Sequence, residues 1–452
     1  MDSVNKHISA PAGAPCSDQH GPEPLRPGRA VVGDARAWWG AAFVVAAVGW
    51  GANQFAPLLL MYRAGLGLST ATVEATFGMY AIGLIPGLLI GGPVSDRYGR
   101  RRVMVPALVA SVAGTILLIF GGSGVEWLFA GRLIAGVASG AAFSSGAAWI
   151  KELSTAGSSG GGNPGPRRVT VAMTVGFGVG PLVAGVLAQW APAPTVLPYL
   201  PHLALAVVAF PLMRRSPETR SANRQNSLRQ QLRMPEVRGR RFRTVVVPLA
   251  PWVFGSASIA FAYLPGLVEK NLGGYALVFS AMVTLLTAAA GILVQPLARR
   301  IDHPGRPRLI GTALAIVVAG LLIAAAAAAT SQPMLVVAAA LVLGAGYGCC
   351  QVCGLLEVQR LAQPDDLAGL TAAYQAVSYL GFAAPFLLAA VDHAVPASEL
   401  LIAVAVLAAL TLVWTTRKAT LPHQGVGQPD EVALAAGRAD DESAPAPDSA
   451  AS

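Results

Sequence analysis

Residues suited to covalent chemistry are few in this 452-residue chain. Cys16 stands apart, while Cys349, Cys350 and Cys353 share one apolar stretch, and Cys350 and Cys353 have the C-x-x-C spacing of redox or metal sites. Such a pair works with a second ligand pair or in an electropositive, partly exposed setting, and a glycine-rich apolar run provides neither. There is no H-E-x-x-H and no G-x-S-x-G, and the few histidines read as lying in tails or near the ends of apolar runs. The sequence therefore composes no catalytic centre, no metal site and no cofactor cradle, and it does not read as an enzyme. What it offers is non-covalent: charges and amides in apolar surroundings, where they must pair, exchange protons or face water.

These residues fall into three groups. The first is a charged turn, Asp96 and Arg97 followed by Arg100, Arg101 and Arg102, framed by Gly92 and Gly99, which are expected to permit close helix approach, with Glu152 as the nearest acid at the end of a later apolar run. The second lies within or beside apolar runs: Asn53, Gln54, Glu74, Glu126 and Arg132. An arginine in hydrocarbon costs about 2.5–3.5 kcal/mol even on the lenient insertion scale, so Arg132 implies a partner or an aqueous cavity. Asn53 and Gln54 could bond a substrate or only neighbouring helices. Glu74, Glu126 and Glu269 sit near run ends, where a solvated role is the stronger expectation. The third group is Gly176, Gly180, Pro181 and Gly185. Gly176 and Gly180 share a helix face suited to close packing, and Pro181 removes a backbone donor and permits a kink.

The elements that hold these groups are transmembrane helices. The chain is 54% hydrophobic, only 12% charged and contains 50 glycines, a composition that excludes an ordinary soluble protein. Apolar runs long enough to cross about 30 Å of hydrocarbon fall at 38–61, 75–94, 103–120, 127–150, 169–190 and 196–213, then at 245–268, 276–298, 309–330, 334–356, 367–391 and 400–416. Of 32 Lys and Arg, all but Arg63, Arg132 and Lys270 fall in the tails or in alternate connections. By the positive-inside rule this bias puts both termini in the cytoplasm. It also accounts for the net charge of +9 without nucleic acid.

The predicted organisation is a cytoplasmic tail (1–37) with no cleavable leader, a six-helix bundle (38–213) and a basic cytoplasmic linker (214–244). A second six-helix bundle (245–416) and a tail (417–452) follow. Both tails read as disordered and the linker as a solvated segment. Pro181 in the fifth run and Pro385 in the eleventh lie about 200 residues apart, as do the charged turns after the second and eighth runs. Six runs per half give both halves the same orientation. The fold class is thus all-α, twelve transmembrane helices in two parallel six-helix bundles, with a site expected between them.

The segment Gly92-Pro93-Val94-Ser95-Asp96-Arg97-Tyr98-Gly99-Arg100-Arg101-Arg102 resembles the major facilitator superfamily signature G-x-L-A-D-R-x-G-R-K-x. Gly131-Arg132-Leu133-Ile134-Ala135-Gly136 resembles part of L-x-x-x-R-x-x-Q-G-x-G, with Ala135 in place of Gln. Gly176 to Gly185 resembles G-x-x-x-G-P-x-x-G-G of drug/proton antiporters, with Ala184 in place of the penultimate Gly. The resemblance implies a gate in which Asp96 faces the start of span eleven and Arg100 pairs with Glu152, holding the cytoplasmic side closed. Arg299 falls where the second half would carry the matching Asp, so a symmetrical latch is not expected. Many cation-exporting relatives carry an acid deep in span one, where Asn53 and Gln54 stand here, and this leaves the proton carrier open; Arg132 is expected to tune a nearby acid, Glu126 first and Glu74 second.

The function expected from the resemblance is a secondary active transporter of the inner membrane. It would act as a proton-coupled exporter of small hydrophobic or amphipathic compounds by alternating access, with protons, a small-molecule substrate and the lipid bilayer as partners and the monomer as unit. The alternative is an uptake transporter for a small polar metabolite.

Overall fold

In lipid every backbone polar group must be satisfied within its own segment, so uncharged runs of this length form helices. The computed structural model describes residues 36–156, 164–220, 237, 239–303, 306–362 and 367–419. Within them twelve helices are long and apolar enough to cross a membrane. They are α1 (Trp38–Leu66), α2 (Thr70–Tyr98), α3 (Arg100–Gly122), α4 (Val125–Thr155), α5 (Gly165–Trp190) and α6 (Leu197–Arg215). The second set is α7 (Phe242–Leu267), α8 (Ala276–Ile301), α9 (Arg308–Thr330), α10 (Pro333–Leu361), α11 (Gly369–Val391) and α12 (Ala397–Ala419). The expected disorder of the tails and of most of the linker, and Cys16, lie outside the described residues.

Several helices extend past the apolar runs that announce them. A hydropathy window stops at a charge, but the helix continues where that charge is paired or capped. α2 begins at Thr70 because Ser69 Oγ accepts a hydrogen bond from the Thr72 backbone N–H at 3.1 Å. Its other end stops at Gly99, whose φ of +107° lies in a region that L side chains rarely adopt. Winding irregularities recur at matching places in the two halves. α1 changes to a 3-10 turn at Ala56–Leu58, where Pro57 has no N–H to offer Asn53. In α7 the corresponding stretch, Ile259–Tyr263, is π-helical. Pro181 lies inside an unbroken α5 helix, whereas a 3-10 turn, Leu380–Ala383, precedes Pro385 in α11.

Connections after even-numbered helices form one face, called here the basic face; the other is the opposite face. The two halves meet along two seams. In one, Gly185 of α5 lies against Leu277 and Ala281 of α8. In the other, aromatic rings of α2 meet α7 and α11: Phe77 lies 5.8 Å from Phe261 and 5.3 Å from Phe382, and Tyr80 lies 6.0 Å from Phe382. At the opposite face Arg63 forms an ion pair with Glu269 across the halves, and Gln189 Nε2 donates to Gly274 O at 2.9 Å. The ion pairs described at the basic face each stay within one half or run to the segment after α6. Among the described residues, the polar ties between the halves that reach a membrane face lie at the opposite face.

Candidate functional site

At the basic face the α2–α3 turn is built around Arg100, which is 3% exposed. Its guanidinium meets Glu152 of α4 in a fork, with Nη2 to Oε1 at 2.7 Å and Nε to Oε2 at 3.2 Å. It also pairs with Asp96 at 2.7 Å and donates to Ser95 Oγ at 2.6 Å. Asp96 is further approached by Arg220 at 3.9 Å. The contacts described for Asp96 thus belong to its own half and the segment after α6, and none reaches the start of α11. Arg97 lies over the Tyr98 ring, 5.5 Å from its centroid, and Arg101 donates to Arg214 O at 3.1 Å.

The linker contributes more than its polar composition foretold. Glu218 accepts from the backbone N–H groups of Arg100 and Arg101 at 2.8 and 2.9 Å, capping the start of α3. A carboxylate at a helix N-terminus is favourable by about 0.3–1 kcal/mol. Thr219 and Arg220 both bond Glu152, and Trp149 Nε1 donates to Pro217 O at 2.9 Å. Residues 217–220, at the start of the segment expected to be solvated, instead form part of the cluster. Gly92 also differs from expectation. A Cβ there would find only Ser144 Cβ at 3.8 Å, ordinary contact, while one at Gly91 would come within 2.6 Å of Ala141 Cα. Gly91 makes the close approach, one residue from the motif position.

The second half has a charged cluster of its own, built away from the motif position that Arg299 occupies. Arg360 pairs with Asp302, three residues beyond Arg299, and with Glu357 at 2.8 Å, and Arg241 reaches Glu357 at 3.0 Å. Glu357 is 2% exposed.

Inside the first half Arg132 is 1% exposed. It donates to Ala52 O at 2.7 Å and to Phe77 O at 3.4 Å, and its guanidinium carbon lies 5.0, 5.6 and 4.5 Å from the ring centroids of Phe55, Phe77 and Tyr80. Its partners are carbonyls and rings; no carboxylate is described against it. Glu126, expected as its first partner, is an exposed residue in the first turn of α4, about 9 Å away along the helix axis at 1.5 Å per residue. Asn53 and Gln54 bond neighbouring helices, Asn53 Nδ2 to Phe177 O at 2.9 Å and Gln54 Nε2 to Thr115 Oγ1 at 3.2 Å.

Sequence reasoning missed His202. It lies within α6 rather than near a span end, fully buried, with Nδ1 2.8 Å from Thr115 Oγ1 and Nε2 3.3 Å from Ser111 Oγ. The signal was available, since His202 falls inside the apolar run at 196–213. Of the three acids expected near span ends, Glu74 departs from the solvated reading: it is 4% exposed and lines a cavity of about 150 Å³ at the opposite face.

The α5 segment reaches both halves. A Cβ on Gly176 would meet the Ala46 carbonyl and the Trp50 amide of α1, one on Gly180 would meet Trp50, and one on Gly185 would meet α8. Cys350 and Cys353 are buried and free, and among the described residues no group of three or more His, Cys, Asp or Glu could hold a metal.

Sequence comparison matches residues 38–386 to the Major Facilitator Superfamily. A chloramphenicol resistance protein of Pseudomonas aeruginosa is 24% identical over 270 residues, covering 60% of this chain and 63% of that protein, under two thirds of the relative's length. Among solved structures, the peptide transporter POT superposes with a TM-score of 0.68 at 15% identity, over 84% of this chain and 94% of that one. A mutant of the nucleoside transporter NupG gives 0.66 at 12% identity, over 86% of this chain and all of that one. The human organic anion transporter TETRAN gives 0.60 at 16%, over 85% of this chain and all of that one. At these identities the likeness is one of fold.

Proposed function

The chain belongs to the Major Facilitator Superfamily and is a multi-pass membrane transporter, not an enzyme, and from that premise we propose that it is a proton-coupled exporter of small hydrophobic or amphipathic compounds. It works by alternating access, as a monomer in the inner membrane, with the basic face and both termini in the cytoplasm. The observation that carries export is the α5 segment: the glycines that match the antiporter pattern are those in close contact with α1 and α8, one helix from each half. The similarity to a chloramphenicol resistance protein favours the same class of cargo. Asp96, Arg97, Arg100, Arg101 and Glu152 form the cytoplasmic gate, and Arg132 with Asn53 and Gln54 forms the polar interior that the pathway borders.

Proteoliposomes with an imposed pH gradient test this reading. Amphipathic drugs should be driven against their gradient, and adding them to detergent-solubilised protein should release protons. Wild-type protein that releases none and accumulates a polar metabolite inward would replace export with uptake. In the same assay Asp96→Asn should lose most transport at equal protein content, since Arg100 keeps Glu152 but the gate loses an anion; wild-type rates would remove Asp96 from the gate. For orientation, single cysteines at positions 65 and 272 should react with an impermeant maleimide in intact cells and one at 230 should not. Strong labelling at 230 would invert the topology.

A further inference from the structure

The cavity at the opposite face lies between the halves, and its polar lining comes from four places in the chain. They are Arg63 near the end of α1, Thr70 and Glu74 in α2, Tyr263 in α7 and Asp392 just beyond α11. Glu74 and Asp392 belong to different halves. Glu74 Oε2 is buried without a hydrogen-bond partner, and the hydroxyl of Tyr263, which is 2% exposed, faces Asp392. The guanidinium in the lining, Arg63, is already engaged by Glu269. With every acid ionised, Glu74, Glu269 and Asp392 would set three negative charges against one positive in a closed seam. His393 adds an exposed imidazole beside Asp392. Desolvation and like charge both disfavour that state, and burial already pushes the Asp392 carboxyl above the usual carboxylate range.

We infer that closing the opposite face takes up one proton, held on Glu74 and shared across the seam with Asp392, with Tyr263 completing the hydrogen-bonded site. A neutral Glu74 gains an O–H to donate, which satisfies the orphaned oxygen and converts a repulsion between the halves into a hydrogen bond. Opening parts the two carboxylates, admits water and lets the proton go. The inference rests on the alternating-access reading but not on the direction of transport. Because the closed state binds the proton more tightly, closure is favoured at low pH and is lost as pH rises through the closed-state titration. For one proton the closed-to-open ratio falls about tenfold per pH unit across that interval.

The test uses the full chain in lipid nanodiscs, without substrate or gradient. Nitroxide labels on cysteines replacing Gly65 and Ala394 report the gap between the halves by pulsed electron resonance. A Cβ at Gly65 meets nothing within 4 Å, and Ala394 is exposed, so both sites tolerate labels. Wild type should pass from closed to open with rising pH at the slope given above. Glu74→Gln, a permanently neutral isostere, should stay closed throughout, and Asp392→Asn should also flatten the response. Glu269→Gln should lower the closed fraction yet keep the slope. A flat wild-type response, an unchanged slope in Glu74→Gln, or a slope lost equally in Glu269→Gln would each overturn the site. If Glu74→Gln does not fold, the wild-type and Asp392→Asn curves decide. No transport is measured, so failed export in vesicles would leave the site standing, and a flat pH response would leave export untouched.

Discussion

Replacing Arg132 with alanine is expected to cut uphill transport by about a hundredfold or more while the protein still inserts, purifies and supports slow downhill exchange. Arg132 links three helices at one point: it sits on α4, donates to α1 at Ala52 and to α2 at Phe77, and lies against rings of both. Hydrogen bonds from a charged donor contribute about 1.5–3 kcal/mol each, and a desolvated cation–π contact about 2. Loss of only one such bond from the state that does the work amounts to tenfold or more, since about 1.4 kcal/mol is one decade, and Arg132 makes several.

The same geometry explains why folding should survive. Truncating one member of a buried ion pair strands an opposite charge at a cost of about 3–5 kcal/mol. Arg132 is surrounded by neutral carbonyls and rings, so its removal strands no charge. Arg132→Lys is not expected to rescue, because an ammonium cannot reach two carbonyls in a fork and lie flat on a ring together. The measurement is accumulation against a gradient and downhill exchange at matched amounts of reconstituted protein. Wild-type accumulation by Arg132→Ala would reduce the residue to a packing role.

The twelve helices were legible because membrane insertion writes its requirement into long uninterrupted runs, and the charge bias of the connections is equally plain. Contacts between elements far apart in sequence were not. Hydropathy windows treat Glu74 as the boundary of a run, but its carboxylate points into a cavity completed by Asp392, which lies over 300 residues later. Glu218 looks like one more charge in a polar linker until the chain returns it to the start of α3. Asp302 is visible in the charged turn after the eighth run, but the motif position falls on Arg299, and nothing in the sequence joins Asp302 to Arg360 of α10. Motif positions fared better for charge than for packing. Arg100 and Glu152 meet as the resemblance implied, whereas the close glycine contact is made by Gly91 and not Gly92. Charges have few alternatives in lipid and so are predictable from type, while which glycine meets a neighbour depends on the rotation of each helix, which one sequence does not encode in any single residue.

That distinction yields the second large effect. Gly136→Leu is expected to leave no folded protein, and Gly136→Ala to lower stability by about 1–3 kcal/mol, whereas Gly92→Ala should stay within about 0.5 kcal/mol of wild type. α2 and α4 cross through glycines from both sides: Gly83, Gly87 and Gly91 on one, Gly136 and Gly140 on the other. A Cβ on Gly136 would overlap the Tyr80 carbonyl and lie 2.9 Å from the Leu84 amide, and one on Gly83 would overlap the Leu133 carbonyl. These obstacles are backbone, which cannot turn aside as a side chain can, so the helices themselves must separate. Separation would forfeit the dispersion contacts along the crossing, and lipid supplies no hydrophobic force to restore them. It would also drag Tyr80 and Phe77 away from Arg132 and from Phe382, disturbing the buried cation and the seam between halves together. Thermal midpoints by size-exclusion in detergent, taken for both alanine variants beside wild type, read the difference directly. Equal midpoints for Gly136→Ala and Gly92→Ala would mean that α2 and α4 re-pack freely, and that close glycine crossing is not what fixes the two helices together.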